Sequence, residues 1–186
     1  TADAELRLTT TELAEGSIST TLKLQAIAGF TATTGVDEDN TAYISVYGGS
    51  ASSSNLTGEI VFSNGAVKYR DASKSQQTIE GLTYADDTDI DVILKWTATD
   101  YSVSIDGGTT FFGPYVAINT GTATETYQIR IGSSGKESAK ELLADDIVIA
   151  DGTDSAVLSE DFETYAEGED LSTTYSSSAE ATVQKD

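Results

Sequence analysis

Hydrophobic and polar residues alternate with a period of two along much of this chain, and the clearest instance runs from Asp91 to Gly107. Val92, Leu94 and Trp96 alternate with Asp91, Ile93 and Lys95. After a Thr-Ala-Thr-Asp corner, Tyr101, Val103 and Ile105 alternate with Ser102, Ser104 and Asp106, and Asp106-Gly107 closes a turn. A period of two puts one side of a strand on a core and the other on solvent or a ligand. The tryptophan falls on the apolar side, so it reads as core, and the informative residues are those opposite.

The same pattern predicts strands at residues 4–8, 18–28, 42–47, 58–62, 66–70, 126–132 and 145–149. In residues 42–47, Ala42, Ile44 and Val46 face one way and Tyr43, Ser45 and Tyr47 the other. Ser63-Asn64-Gly65 is a hairpin signal, because Asn-Gly supplies the positive φ angles of a tight type I′ turn. Residues 71–90 read as a polar, Asp-rich loop plugged by Ile79 and Leu82, and Phe111 to Tyr115 as an aromatic loop. Residues 137–143 (ESAKELL) are the one stretch that reads as a short helix. Short strands with turn signals roughly every 8–12 residues predict an all-β, antiparallel β-sandwich or barrel.

Composition narrows the chemistry. At 186 residues the chain fits a single sandwich domain, residues 1–186, with 157–186 either closing it or beginning a following tandem copy. The net charge is −21, with 31 acidic and 10 basic residues. That balance disfavours nucleic acid, whose phosphates it repels, and suits a protein of salty surroundings or one rich in calcium-ready carboxylates. With no cysteine and no histidine, thiol chemistry, a Ser-His-Asp triad and an ordinary zinc site are all excluded. No stretch is apolar enough for a membrane helix.

Two short stretches carry a resemblance. Asp145-Asp146-Ile147-Val148-Ile149, and Asp161-Phe162-Glu163 followed by Tyr165 and Gly168, resemble segments of the concanavalin A-like (laminin G-like) jelly rolls of bacterial extracellular carbohydrate-active proteins. In that family the second segment opens the domain and the first closes it, so the order here is reversed. The reversal suggests a unit of a tandem array or a permuted domain. The resemblance implies a concanavalin A-like jelly roll and a secreted, extracellular bacterial setting, free or attached to a cell surface. It further implies glycan binding on one sheet face and a structural calcium ion (Ca2+) held by Asp146, Asp161 and Glu163. Asp37 to Asn40 and the Asp86-Asp87-Asp89 cluster are weaker calcium candidates.

Placing the apolar alternants on the core gathers Tyr43, Tyr47, Lys68, Arg70, Lys95, Gln128 and Arg130 on the opposite face. Tyrosines stack on sugar rings, and Arg and Lys clamp carboxylates or sulfates. These seven are the candidate carbohydrate-binding residues. No glycosidase E-x-D-x-x-E strand is present; Asp87-Thr88-Asp89-Ile90-Asp91 falls short of it, and the His-Tyr pair of similar lyases lacks its histidine. The expectation is a non-catalytic module, not an enzyme, that binds an anionic, algal-type polysaccharide for an attached polysaccharide-degrading enzyme of a marine bacterium. The alternative is a calcium-stabilised structural or adhesive repeat of a large surface protein, partnered by neighbouring copies.

Overall fold

In the computed structural model, which describes residues 4–33, 35–132, 136–175 and 178–184, the alternating segments form two six-stranded sheets. The first sheet is ordered β1 (Ala4–Leu13), β11 (Thr124–Ile131), β4 (Ala42–Tyr47), β5 (Leu56–Ser63), β6 (Ala66–Arg70) and β7 (Gln76–Thr83). The second is ordered β10 (Phe112–Val116), β9 (Asp100–Ser104), β8 (Ile90–Trp96), β2 (Gly16–Ala26), β13 (Lys140–Asp151) and β14 (Ala156–Glu160). Neighbours within both sheets are antiparallel. Two three-residue strands, β3 (Gly35–Asp37) and β12 (Lys136–Ser138), pair in parallel outside them.

One core lies between the sheets. Leu8, Ile44, Phe62, Val67 and Tyr127 of the first sheet meet Ile18, Leu22, Leu24, Leu94, Trp96 and Tyr101 of the second. Burying a large apolar side chain contributes roughly 1.5–3 kcal/mol, so this inner layer is the main source of stability. The fold is an all-β antiparallel sandwich, one of the two architectures the alternation predicts, and of the jelly-roll type that the resemblance implies.

Where the pattern was weaker, the structure corrects it. Residues 137–143 are not helical: they span the end of β12 and the start of β13. β13 pairs along β2 from Lys140↔Ala26 to Asp151↔Gly16, and this long ladder outweighs a modest helix propensity. The Asp-rich stretch contains β7, whose Ile79 is buried, and the aromatic loop becomes the edge strand β10.

Asp145-Asp146 is a bulge. The β13–β2 register shifts between Asp145 and Val148, and Asp146 has φ 50°. One extra residue moves the inward positions from Leu142 and Ala144 to Ile147 and Ile149, so the strand stays on the core on both sides of the bulge.

Beyond β14 the chain runs from the edge of the second sheet to the edge of the first. Leu171 and Val183 enter the core, and Ala179 exchanges backbone hydrogen bonds with Glu5 of β1 at 2.7 and 2.9 Å. Glu160 accepts hydrogen bonds from Phe162 N, from the Tyr165 hydroxyl at 3.2 Å and from the Tyr175 hydroxyl. The segment thereby covers an edge that would otherwise offer unpaired N–H and C=O groups.

Candidate functional site

The outer face of the first sheet is built from strand register. One cross-strand row reads Glu5–Arg130–Tyr43–Val61–Lys68, and the next reads Arg7–Gln128–Ser45–Glu59. Arg70 lies two residues beyond Lys68, on the same side of β6. Six of the seven sequence candidates are therefore brought together: Tyr43, Tyr47, Lys68, Arg70, Gln128 and Arg130.

Lys95 is not among them, which corrects the reading from alternation. It lies on β8 in the other sheet and reaches Asp154 at 3.5 Å, with 46% of its side chain exposed. Alternation reports which side of its own strand a residue occupies, and not which sheet the strand joins.

The floor of the face is a hydrogen-bonded layer. Tyr47 donates to Gln128 Oε1 at 2.8 Å, and Gln128 Nε2 donates to Glu5. Glu5 also accepts from Arg7 at 2.8 Å. Further along, Ser45 donates to Glu59 Oε1 at 2.8 Å and Arg70 Nε to Glu59 Oε2 at 2.6 Å. Glu59 is only 3% exposed, and the serine hydroxyl and the guanidinium give its buried carboxylate hydrogen-bond partners. The Arg130 guanidinium sits 4.3 Å above the Tyr43 ring in a cation–π contact. Burial pushes the Tyr43 and Tyr47 phenols above their ordinary value, and both remain neutral donors.

This arrangement revises the chemistry expected of the two tyrosines. At 8% and 7% exposure they form the floor, and Arg130 occupies the Tyr43 ring face that a sugar would use. What reaches solvent is the cationic rim. The paired outward positions of β1, β11, β4, β5 and β6 hold four cations, Arg7, Lys68, Arg70 and Arg130, against the carboxylates Glu5 and Glu59. In a chain of net charge −21 this is a local inversion of sign.

Arg7, Glu5, Ser45 and Glu59 were not singled out from the sequence. Each alternates with apolar neighbours, as Arg7 does between Leu6 and Leu8, and that was the available signal.

The calcium candidates are not gathered. Among the described residues no three acidic side chains converge at metal-binding separation. Asp146 projects from the bulge and is exposed, while Asp161 accepts the Glu163 amide at 3.2 Å in a local turn. No calcium role is assigned to Asp146, Asp161 and Glu163. The weaker clusters are likewise engaged: Asp37 accepts from Asp39 N and Thr41 N, Asp86 pairs with Lys140 at 2.7 Å, and Asp89 with Lys23 at 2.8 Å.

No protein-family model matches this chain, and no curated protein matches it. Solved structures share its fold. A structure titled sialidase superposes with TM-score 0.60 at 11% identity over 81% of this chain, which spans 14% of the sialidase's length. A galectin from the ball sponge Cinachyrella gives 0.53 at 8% identity, covering 83% of this chain and 99% of its own. A scytalido-glutamic peptidase bound to a transition-state analogue gives 0.52 at 10% identity, covering 91% of both chains. The class of protein so defined is a jelly-roll β-sandwich. These neighbours have dissimilar functions, and at such identities the likeness is one of fold.

Proposed function

We propose that this protein is a non-catalytic carbohydrate-binding module that takes an anionic polysaccharide on the outer face of the first sheet. The observation that carries the reading is the cationic rim of that face in a strongly acidic chain. Its carboxylates, Glu5 half-buried and Glu59 buried, are engaged, and its outward-reaching groups are donors. Such a surface matches a ligand rich in acceptors and negative charge. The proposal extends to this chain what the names sialidase and galectin suggest of theirs, dealings with sugars. A secreted polysaccharide-degrading enzyme is the proposed neighbour, with the module raising the local concentration of substrate.

Affinity electrophoresis against neutral and anionic polysaccharides tests the reading. Retardation on an anionic polysaccharide is expected, weakened in Lys68→Ala and Arg130→Ala and unchanged in Lys95→Ala, which lies on the other sheet. Absence of retardation on every glycan would overturn the proposal and leave the structural repeat.

A further inference from the structure

Arg7 is the cation that the alternation did not flag, and its surroundings set it apart. It lies opposite Gln128 on β11, while Glu5, two residues earlier on the same side of β1, lies opposite Arg130. Arg7 and Arg130 are thus diagonal neighbours across an antiparallel pair, positions that lie about 7–8 Å apart and within reach of long side chains. Glu5 stands beside both.

The acceptors of this corner are engaged. Glu5 receives Arg7 and Gln128, and Gln128 Oε1 receives Tyr47. Arg7 keeps donors in hand. One guanidinium nitrogen is anchored on Glu5 at 2.8 Å, yet its Nε is buried without a hydrogen-bond partner among the described residues, and 29% of the side chain is open. A buried donor with no acceptor is uncommon in a folded protein and asks for an explanation such as a bound group. Arginine presents its donors as a rigid planar fork that fits a carboxylate or sulfate.

We propose that Arg7 and Arg130 form a two-guanidinium subsite for an acidic substituent of the glycan, a carboxylate or a sulfate ester, with Glu5 holding Arg7 in place. The subsite rests on the reading that this face binds glycan. It adds a specificity-determining residue, Arg7, at the β1–β11 corner of the face.

The test is calorimetric titration at fixed ionic strength with paired oligosaccharides: a sulfated one and its desulfated form, a uronate and its carboxyl-reduced form. Wild type is expected to prefer one charged member over its neutral counterpart. Arg7→Gln should lose about tenfold or more on that member and change little on the neutral one. Arg7→Lys should recover only part of the loss, because it restores charge without the fork. Equal losses on both members, or full retention in Arg7→Gln, would overturn the subsite while leaving glycan binding intact. Equal wild-type affinity for both members would do the same. Binding of neither member overturns both readings. If Arg7→Gln does not give a folded protein, Arg130→Gln must show the same selective loss on the charged member.

Discussion

The hydroxyl of Tyr101, a fully buried residue of the second sheet, accepts the Arg70 amide at 3.1 Å and donates to the Arg70 carbonyl in the first. It crosses the sandwich to satisfy both backbone groups at the end of β6, the residue whose side chain neutralises Glu59. The ring packs under Gly58, where an added β-carbon would stand 2.9 Å from it. A core tyrosine therefore anchors part of the outer face.

Tyr101→Phe keeps the packing and strands two backbone groups. A loss of about 1–3 kcal/mol is expected in urea unfolding. Gly58→Ala, which pushes a methyl group into the ring, should cost a similar amount, about 1–3 kcal/mol. Because both act through the same ring, the double variant should lose measurably less than the sum of the two. Strict additivity would show that the ring and Gly58 are not coupled.

Glu59→Gln removes the counter-charge of Arg70 from a largely buried site. Arg70 keeps 22% of its side chain exposed, so the cost should fall below that of a fully buried pair, at about 2 kcal/mol. Pairing it with Arg70→Met should recover part of the loss in denaturant titration, since the double variant leaves no unpaired charge.

Two hairpin loops share one design. In Asp71-Ala-Ser-Lys-Ser and Asp151-Gly-Thr-Asp-Ser the aspartate accepts from the backbone amides two and four residues on and from the hydroxyl of the third residue. The fourth residue has positive φ in both, at Lys74 and Asp154. The Ser73 hydroxyl first, then the Ser75 amide, pull the Asp71 carboxyl down to about 2, and the Thr153 hydroxyl lowers Asp151. A carboxyl lowered on folding adds stability above its ordinary value of 3.8, and that stability is lost as pH falls towards about 2. Carboxyl NMR titration should find both below the ordinary range. Asp71→Asn should flatten the acid limb of the melting-temperature profile. An ordinary Asp71 titration would refute the loop's role.

Net charge sets the response to salt. At −21 the chain repels itself and any polyanion, over a Debye length of about 30 Å at 0.01 M that shrinks to about 10 Å at 0.1 M. The melting temperature should rise with NaCl. Affinity for an anionic polysaccharide should also rise at first, as long-range repulsion is screened before the short contacts of Lys68 and Arg130 are. A monotonic fall of affinity from the lowest salt would show that the rim governs at all distances. Calcium at matched ionic strength should add nothing to the NaCl effect if no specific site holds it, and a further rise would reveal one.

The alternation of residues 42–47, 66–70 and 126–132 was enough to determine their strands and to put Tyr43, Lys68 and Arg130 opposite the core. The absence of cysteine and histidine, and the acidity, were fixed by composition alone. Tertiary structure decided what depends on partners far along the chain. Lys95 alternates as Lys68 does, but β8 pairs with β2 and β9, so it lies on the other sheet. Leu142 and Leu143 have helical propensity, but the β2 edge recruited them as strand. Arg70 is neutralised because Glu59 comes to lie beside it, and Arg7 joins the face because β1 closes on β11. A period of two is a local property of one strand, whereas a binding face is assembled from strands whose pairing is set by the whole core.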